Sequence, residues 1–213
     1  MKYKDTLKYI QEKFQLDLNQ KLPIKVPIDK PRGLPNLFRE LGFKVGAEIG
    51  VNKGHFSKWL CYKMRRNKPK LFLIDPYKSY KEYSEYLDQN EMDFLYEQAQ
   101  KRLAPFNCEF VKKMSMEAIK DFNDNSLDFV FIDGNHDFRY VVDDIDEWSK
   151  KVKPGGIISG HDYSGYMFQV REAVDGWTTS RKIKPWFLTK HHACWFYIKD
   201  DKQEPPREST KQC

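Results

Sequence analysis

From about residue 36 the chain alternates short apolar runs with longer amphipathic stretches. Residues 45–49, 71–74, 109–112, 127–132 and 157–159 have strand length and centre on Val, Ile, Leu and Phe. Between them, apolar residues at three- and four-residue spacing predict helices over 36–41, 57–67, 80–103, 116–122, 139–151 and 168–177. Gly42 closes the first, and Lys153-Pro154-Gly155-Gly156 closes the helix from 139. Residues 186–188 and 194–198 read as two last strands, paired as a hairpin. Strands alternating with helices predict an α/β fold: a doubly wound, Rossmann-like, seven-stranded, mostly parallel sheet with an antiparallel C-terminal hairpin.

The first 33 residues differ. Tyr3, Leu7, Ile10, Phe14 and Leu18 fall at helical spacing, and Pro23, Pro27, Pro31 and Pro35 then predict an extended connector. The chain therefore divides into an arm (1–33), a main domain (34–199) and a disordered tail (200–213). It shows neither an internal repeat nor a low-complexity tract.

Composition narrows the class. At 213 residues, 40% apolar and 15% aromatic, the chain can bury one sizeable core. No stretch reaches the roughly 18 apolar residues of a membrane span, and residues 1–18 lack the apolar segment of a secretory signal. The expected setting is cytoplasmic. Cys61, Cys108, Cys194 and Cys213 form no C-x-x-C pair and predict reduced thiols. The net charge is +6, and eight Lys/Arg stand against four Asp/Glu in the arm. These charges are scattered, so they predict a solvated surface, and nucleic acid is disfavoured as a partner.

In doubly wound sheets, ligands bind outside the carboxyl ends of the strands. The polar residues there are Glu48 with Gly50, Asp75, Ser115, Asp133 with His136, and His161 with Asp162. After the first run, Gly46, Gly50 and Gly54 recur every fourth residue. The loop lacks the middle glycine of G-x-G-x-x-G, which lets backbone approach a pyrophosphate. A nicotinamide dinucleotide is therefore disfavoured, and S-adenosylmethionine, which carries no phosphate, fits. Gly50 would give the tight turn, and Glu48 would engage the ligand's amino-acid end. Asp75 would accept hydrogen bonds from both ribose hydroxyls. Adenine would lie near Met114, Ser115 and Met116.

The segments 46–54 (GAEIGVNKG), 73–77 (LIDPY), 128–136 (DFVFIDGNH) and 152–163 (VKPGGIISGHDY) resemble class I S-adenosylmethionine-dependent methyltransferases. The similarity runs over about 34–198 and is nearest to the small stand-alone methyltransferase family 24, which includes sugar and small-molecule O-methyltransferase-like proteins. It implies that Asp133 contacts both the donor and a divalent metal (Mg or Mn), and that Asp162 is the last metal acid. His161 stands between them, where the metal-dependent relatives carry an acid. It also implies that His136 is the base that takes the acceptor's proton, with Asp133 and Asp162 beside it in catalysis. The expected reaction is methyl transfer to a hydroxyl of a small molecule, sugars included. The alternatives are a nucleic-acid methyltransferase and a member of the fold that binds the donor without transferring methyl. An Asn/Asp-Pro-Pro-Tyr motif would mark amine methylation, but Asp-Gly-Asn-His stands at 133–136. The tyrosines at 77, 80, 83 and 86, with Phe94 and Tyr96, are candidates for a substrate lid. The arm is the candidate surface for a homo-oligomer.

Overall fold

The computed structural model describes residues 2–29, 33–80, 88–164, 169–191 and 194–200. The arm opens with α1 (Tyr3–Phe14) and β1 (Ile24–Val26), followed by α2 (Leu34–Glu40). The main series is β2 (Val45–Ile49), α3 (His55–Met64), β3 (Lys70–Ile74), α4 (Gln89–Leu103), β4 (Cys108–Val111), α5 (Ser115–Ala118), β5 (Leu127–Ile132), α6 (Phe138–Lys151), β6 (Val152–Gly160), α7 (Val170–Ser180), β7 (Trp186–Thr189) and β8 (Trp195–Ile198). Single 3-10 turns follow α3 and α5.

Among the described residues one sheet holds every strand in the order β1-β7-β8-β6-β5-β2-β3-β4. Of these strands only β8 is antiparallel to its neighbours, β6 and β7. The described sheet thus has eight strands where the sequence pattern gave seven. The extra one, β1, comes from the proline-spaced connector and pairs parallel with β7 at Ile24–Phe187. Three residues between prolines suffice because β1 lies at the sheet edge, where one side of the ladder needs no donor.

Alternate residues of each strand feed two cores, one on each face. Phe129 and Phe131 point to the side covered by α1–α4, where Phe38 stacks on Phe129 at 4.5 Å and Phe56 on Phe131 at 4.0 Å. Val130 and Ile132 point to the side covered by α5–α7, toward Trp148 and Val174. The α6 stripe Val141, Ile145, Trp148 has the spacing that brings one helix face onto a sheet. The arm joins the first core: Ile10 is buried, and the buried Thr6 hydroxyl donates to the Gly155 carbonyl at 2.7 Å.

Two boundaries moved furthest. The predicted helix from residue 80 begins, among described residues, at Gln89, where Asp88 and Glu91 form a reciprocal cap at 2.9 Å; residues 81–87 lie outside the described part. The Lys153-Pro154-Gly155-Gly156 segment is not a turn but the first half of β6. Its irregularity is absorbed as a register shift against β5 between Leu127 and Phe129. Cys61, Cys108 and Cys194 are free thiols, and the first two touch at 3.5 Å.

Candidate active site

Strand order reverses between β2 and β5: the chain winds outward through β3 and β4, then returns to the other side of β2. Such a switch point opens a crevice at the carboxyl ends, because successive connections leave on opposite faces. A cleft of about 550 Å³ lies there, a volume suited to a nucleoside-sized ligand.

The loop after β2 forms its floor. Gly50 has φ +82°, and a Cβ on it would stand 2.1 Å from the Asp133 carbonyl oxygen. Only glycine lets the β2 and β5 ends approach this closely. The Gly50 N–H donates to the Ile74 carbonyl at 2.9 Å and the Asp133 N–H to the Ile49 carbonyl at 2.8 Å. Glu48, one residue inside the end of β2, is 2% exposed yet lines the cleft. Burial pushes its carboxyl well above the usual range against the pull of the nearby Ser57 hydroxyl, and its Oε2 makes no hydrogen bond of ordinary geometry among the described residues. A buried acceptor left open in this way is costly unless a ligand donor meets it.

Asp75, just past β3, is already engaged. Its Oδ2 accepts from the Val51 and Asn52 N–H groups at 2.9 and 3.0 Å, and its Oδ1 from the Tyr77 N–H at 2.9 Å. Burial raises its pKa against the pull of these bonds. A carboxylate offers about four lone-pair sites, so roughly one remains for a ribose hydroxyl where the sequence reading assigned two. Asp75 is as much the anchor of the glycine loop as a ligand contact.

Asp133, His136 and Asp162 converge at the opposite wall. Each offers one ligand atom, and these atoms lie within 4.8 Å of one another. His136 Nε2 stands 3.1 Å from Asp162 Oδ2 and 3.6 Å from Asp133 Oδ1. Asp162 reaches in from a left-handed residue at φ +56°, a conformation that costs energy outside glycine and is found at functional sites. Burial disfavours charge on His136, but the two carboxylates outweigh it and push its pKa up to about 10. Burial would likewise raise Asp162, but His136 and His161 hold it well below the ordinary carboxylate value.

Three assigned residues fall outside this cleft. Gly46 lies inside β2, where a Cβ would meet the Phe129 ring at 2.1 Å, so its small size serves packing. Gly54, at φ +68°, caps α3 and makes room for Leu103 of α4. His161 touches Asp162 at 3.0 Å, but the trio that fits one ion contains His136 in its place. His161 Nδ1 also stands 3.9 Å from Asp133 Oδ1, so it flanks the two acids from beside the cleft, whereas Asp162 lines it.

Met114, Ser115 and Met116 do line the cleft. The Ser115 hydroxyl, however, donates to Asp144 Oδ1 and accepts from the Trp148 indole at 2.7 Å. Asp144 was missed, although a carboxylate on the apolar face of α6 was its signal. The tyrosine stripe splits: Tyr77 is buried and packs on Tyr96 at 4.8 Å, Tyr80 lines the cleft, and Tyr83 and Tyr86 lie outside the described residues. Tyr140 also lines the cleft, one turn beyond His136.

Fold and cleft together define a class: a doubly wound α/β domain with a cleft across the β2–β5 switch point. The chain belongs to a methyltransferase domain family, whose model matches residues 47–163, from β2 to the loop after β6. A protein of Acanthamoeba polyphaga mimivirus, uncharacterized protein R132, is 35% identical over 75 residues, which span 32% of this chain and 34% of that protein. The O-methyltransferase NovP shares the fold at a TM-score of 0.60 and 12% identity, covering 79% of each chain. The O-methyltransferase from Bacillus cereus, solved with SAH, does so at 0.56 and 13%, over 92% of this chain and 90% of its own. The O-methyltransferase TomG from Streptomyces achromogenes, solved with SAM, does so at 0.56 and 15%, over 91% and 89%. No helix among the described residues is long and apolar enough to cross a membrane.

Proposed function

We propose that this methyltransferase moves the methyl group of S-adenosylmethionine onto a hydroxyl of a small molecule. The observation that carries the reading is one cleft that holds both an unmet buried acceptor and a convergent cluster of two acids and a histidine. Glu48 Oε2 is a buried acceptor that a ligand ammonium would satisfy, and Asp133, His136 and Asp162 are poised 4.8 Å or less apart for an acceptor hydroxyl. Gly50 supports the same ligand, since any Cβ would close the turn beneath it. Asp75 would take one ribose hydroxyl, and Met114 and Met116 would pack on the adenine.

The donor supplies a sulfonium-activated methyl: the acceptor oxygen forms the new O–C bond as the C–S bond breaks, leaving S-adenosylhomocysteine. This chain must place the hydroxyl in line and receive its proton. With its pKa near 10, His136 already carries a proton at neutral pH and cannot take another. A divalent cation held by the Asp133 and Asp162 carboxylates, with His136 beside it and not among its ligands, would supply the other need, lowering the pKa of an acceptor hydroxyl. Carboxylates so engaged would no longer stabilise an imidazolium, which would return His136 toward the range of a base. Tyr80 and Tyr140, which line the same cleft, offer aromatic faces suited to a sugar ring.

The test is donor turnover against panels of sugars, phenols and nucleic acids, with Mn²⁺ or Mg²⁺ and with chelator. The expected result is S-adenosylhomocysteine formed with a hydroxylated small molecule, abolished by chelation and by Asp133→Asn. Turnover confined to nucleic acid, or undiminished by both treatments, would overturn it.

A further inference from the structure

We infer that Asp144 reads the exocyclic amine of the donor's adenine and makes the site select a 6-amino over a 6-keto purine. The inference rests on the donor reading above and assigns a residue that neither the motifs nor the strand-end rule supplied. Asp144 is 4% exposed and sits on the sheet-facing side of α6, yet it lines the cleft with Ser115, Met114 and Gly134. Its carboxylate is held from one side only. Among the described residues its one hydrogen bond is on Oδ1, from the Ser115 hydroxyl, and Ser115 is fixed in turn by the buried Trp148 indole at 2.7 Å. A hydroxyl has one proton to give; Ser115 gives it to Asp144 and so has none for the ligand. Oδ2 lies on the Gly134 side, where a Cβ would come to 3.9 Å of it, and both residues line the cleft.

A fixed, buried acceptor with an open side demands a donor. Of the groups on a purine ring edge, an amine donates and a carbonyl does not. A keto purine would set its oxygen lone pairs against Oδ2, and sites built on buried polar groups reject such mismatches strongly. Met114 and Met116 supply the apolar, adaptable surface that a flat ring needs but that cannot tell one purine from another.

The experiment is calorimetric binding of S-adenosylhomocysteine and S-inosylhomocysteine to the full chain and to Asp144→Asn. Burial pushes the Asp144 carboxyl up to about 7, so pH 8.5 keeps it ionised. The wild-type protein should favour the adenosyl compound by about 100-fold or more. In Asp144→Asn, Ser115 still donates to the amide oxygen, which turns the amide N–H groups toward the cleft. The preference should then collapse toward unity or invert. A wild type that does not discriminate overturns the inference without any variant. So does an Asp144→Asn protein whose two affinities fall together at constant ratio, the signature of a merely structural carboxylate. If the wild type binds neither compound, the donor reading itself fails.

Discussion

Gly50→Ala probes the closest approach in the cleft. At φ +82° an L-residue is strained by about 1–2 kcal/mol. The new methyl would stand 2.1 Å from the Asp133 carbonyl oxygen and 2.6 Å from the Gly134 Cα, far inside ordinary contact. Both neighbours are backbone, so the β5 end must shift, and forced insertions of this kind cost about 1–3 kcal/mol. Together the loss of stability should be about 2–5 kcal/mol, read as a lower midpoint in urea unfolding. Because the displaced atoms belong to the cleft wall that carries Asp133, S-adenosylhomocysteine affinity measured by calorimetry should fall at least tenfold in the fraction that folds. Gly176→Ala is the matched control. That glycine lies inside α7 with nothing within 4 Å of its Cβ position, so alanine should stabilise by about 0.5–1 kcal/mol through helix propensity. A Gly50→Ala protein as stable as the wild type, with unchanged affinity, would refute the geometry of the switch point.

Asp75→Ala leaves three loop N–H groups without their acceptor and should cost about 2–4 kcal/mol of stability as well as donor affinity, whereas a ribose contact alone would cost affinity only; paired unfolding and calorimetric measurements decide between these. His136 has its folded pKa raised from 6.5 to about 10, so its ion pairs stabilise fully below about pH 6.5 and progressively less as pH rises through 10. Stability curves of wild type and His136→Gln should therefore converge toward high pH, and parallel curves from pH 6 to 10 would contradict the assignment. Removing residues 1–20 takes away buried Ile10 and the Thr6–Gly155 hydrogen bond, so the melting temperature should drop by several degrees; an unchanged melting temperature would show that the arm does not support the core.

Much of the fold was legible because its signals are local. Strands β2, β3 and β5 are apolar runs whose length and neighbours identify them, and the rule that ligands gather at carboxyl ends picked out Glu48, Gly50, Asp75, Ser115, Asp133, His136 and Asp162, which line the cleft, together with His161, which does not. Gly50 was legible as a turn, but its partner across the sheet was not, because Asp133 is distant in sequence. The same limit explains the reassignments. Gly46 and Gly54 look like Gly50 in a one-dimensional motif and differ in what a Cβ would meet: the Phe129 ring and the Leu103 side chain, against the Asp133 backbone at the cleft wall for Gly50. Three residues between prolines carry too little periodicity to reveal β1, which forms because the β7 edge offers it a ladder. That His136 joins Asp133 and Asp162 on the cleft side while His161 flanks the same acids from beside it is a matter of three-dimensional placement that no spacing rule encodes. The charge on His136 and the orientation of Asp144 depend on burial and on carboxylate, serine and indole groups brought together from several elements. Sequence alone determined which residue types reach the edge of the sheet. Tertiary structure decided which way each faces and in what protonation state, because close packing and low polarity act between residues that only the folded chain makes neighbours.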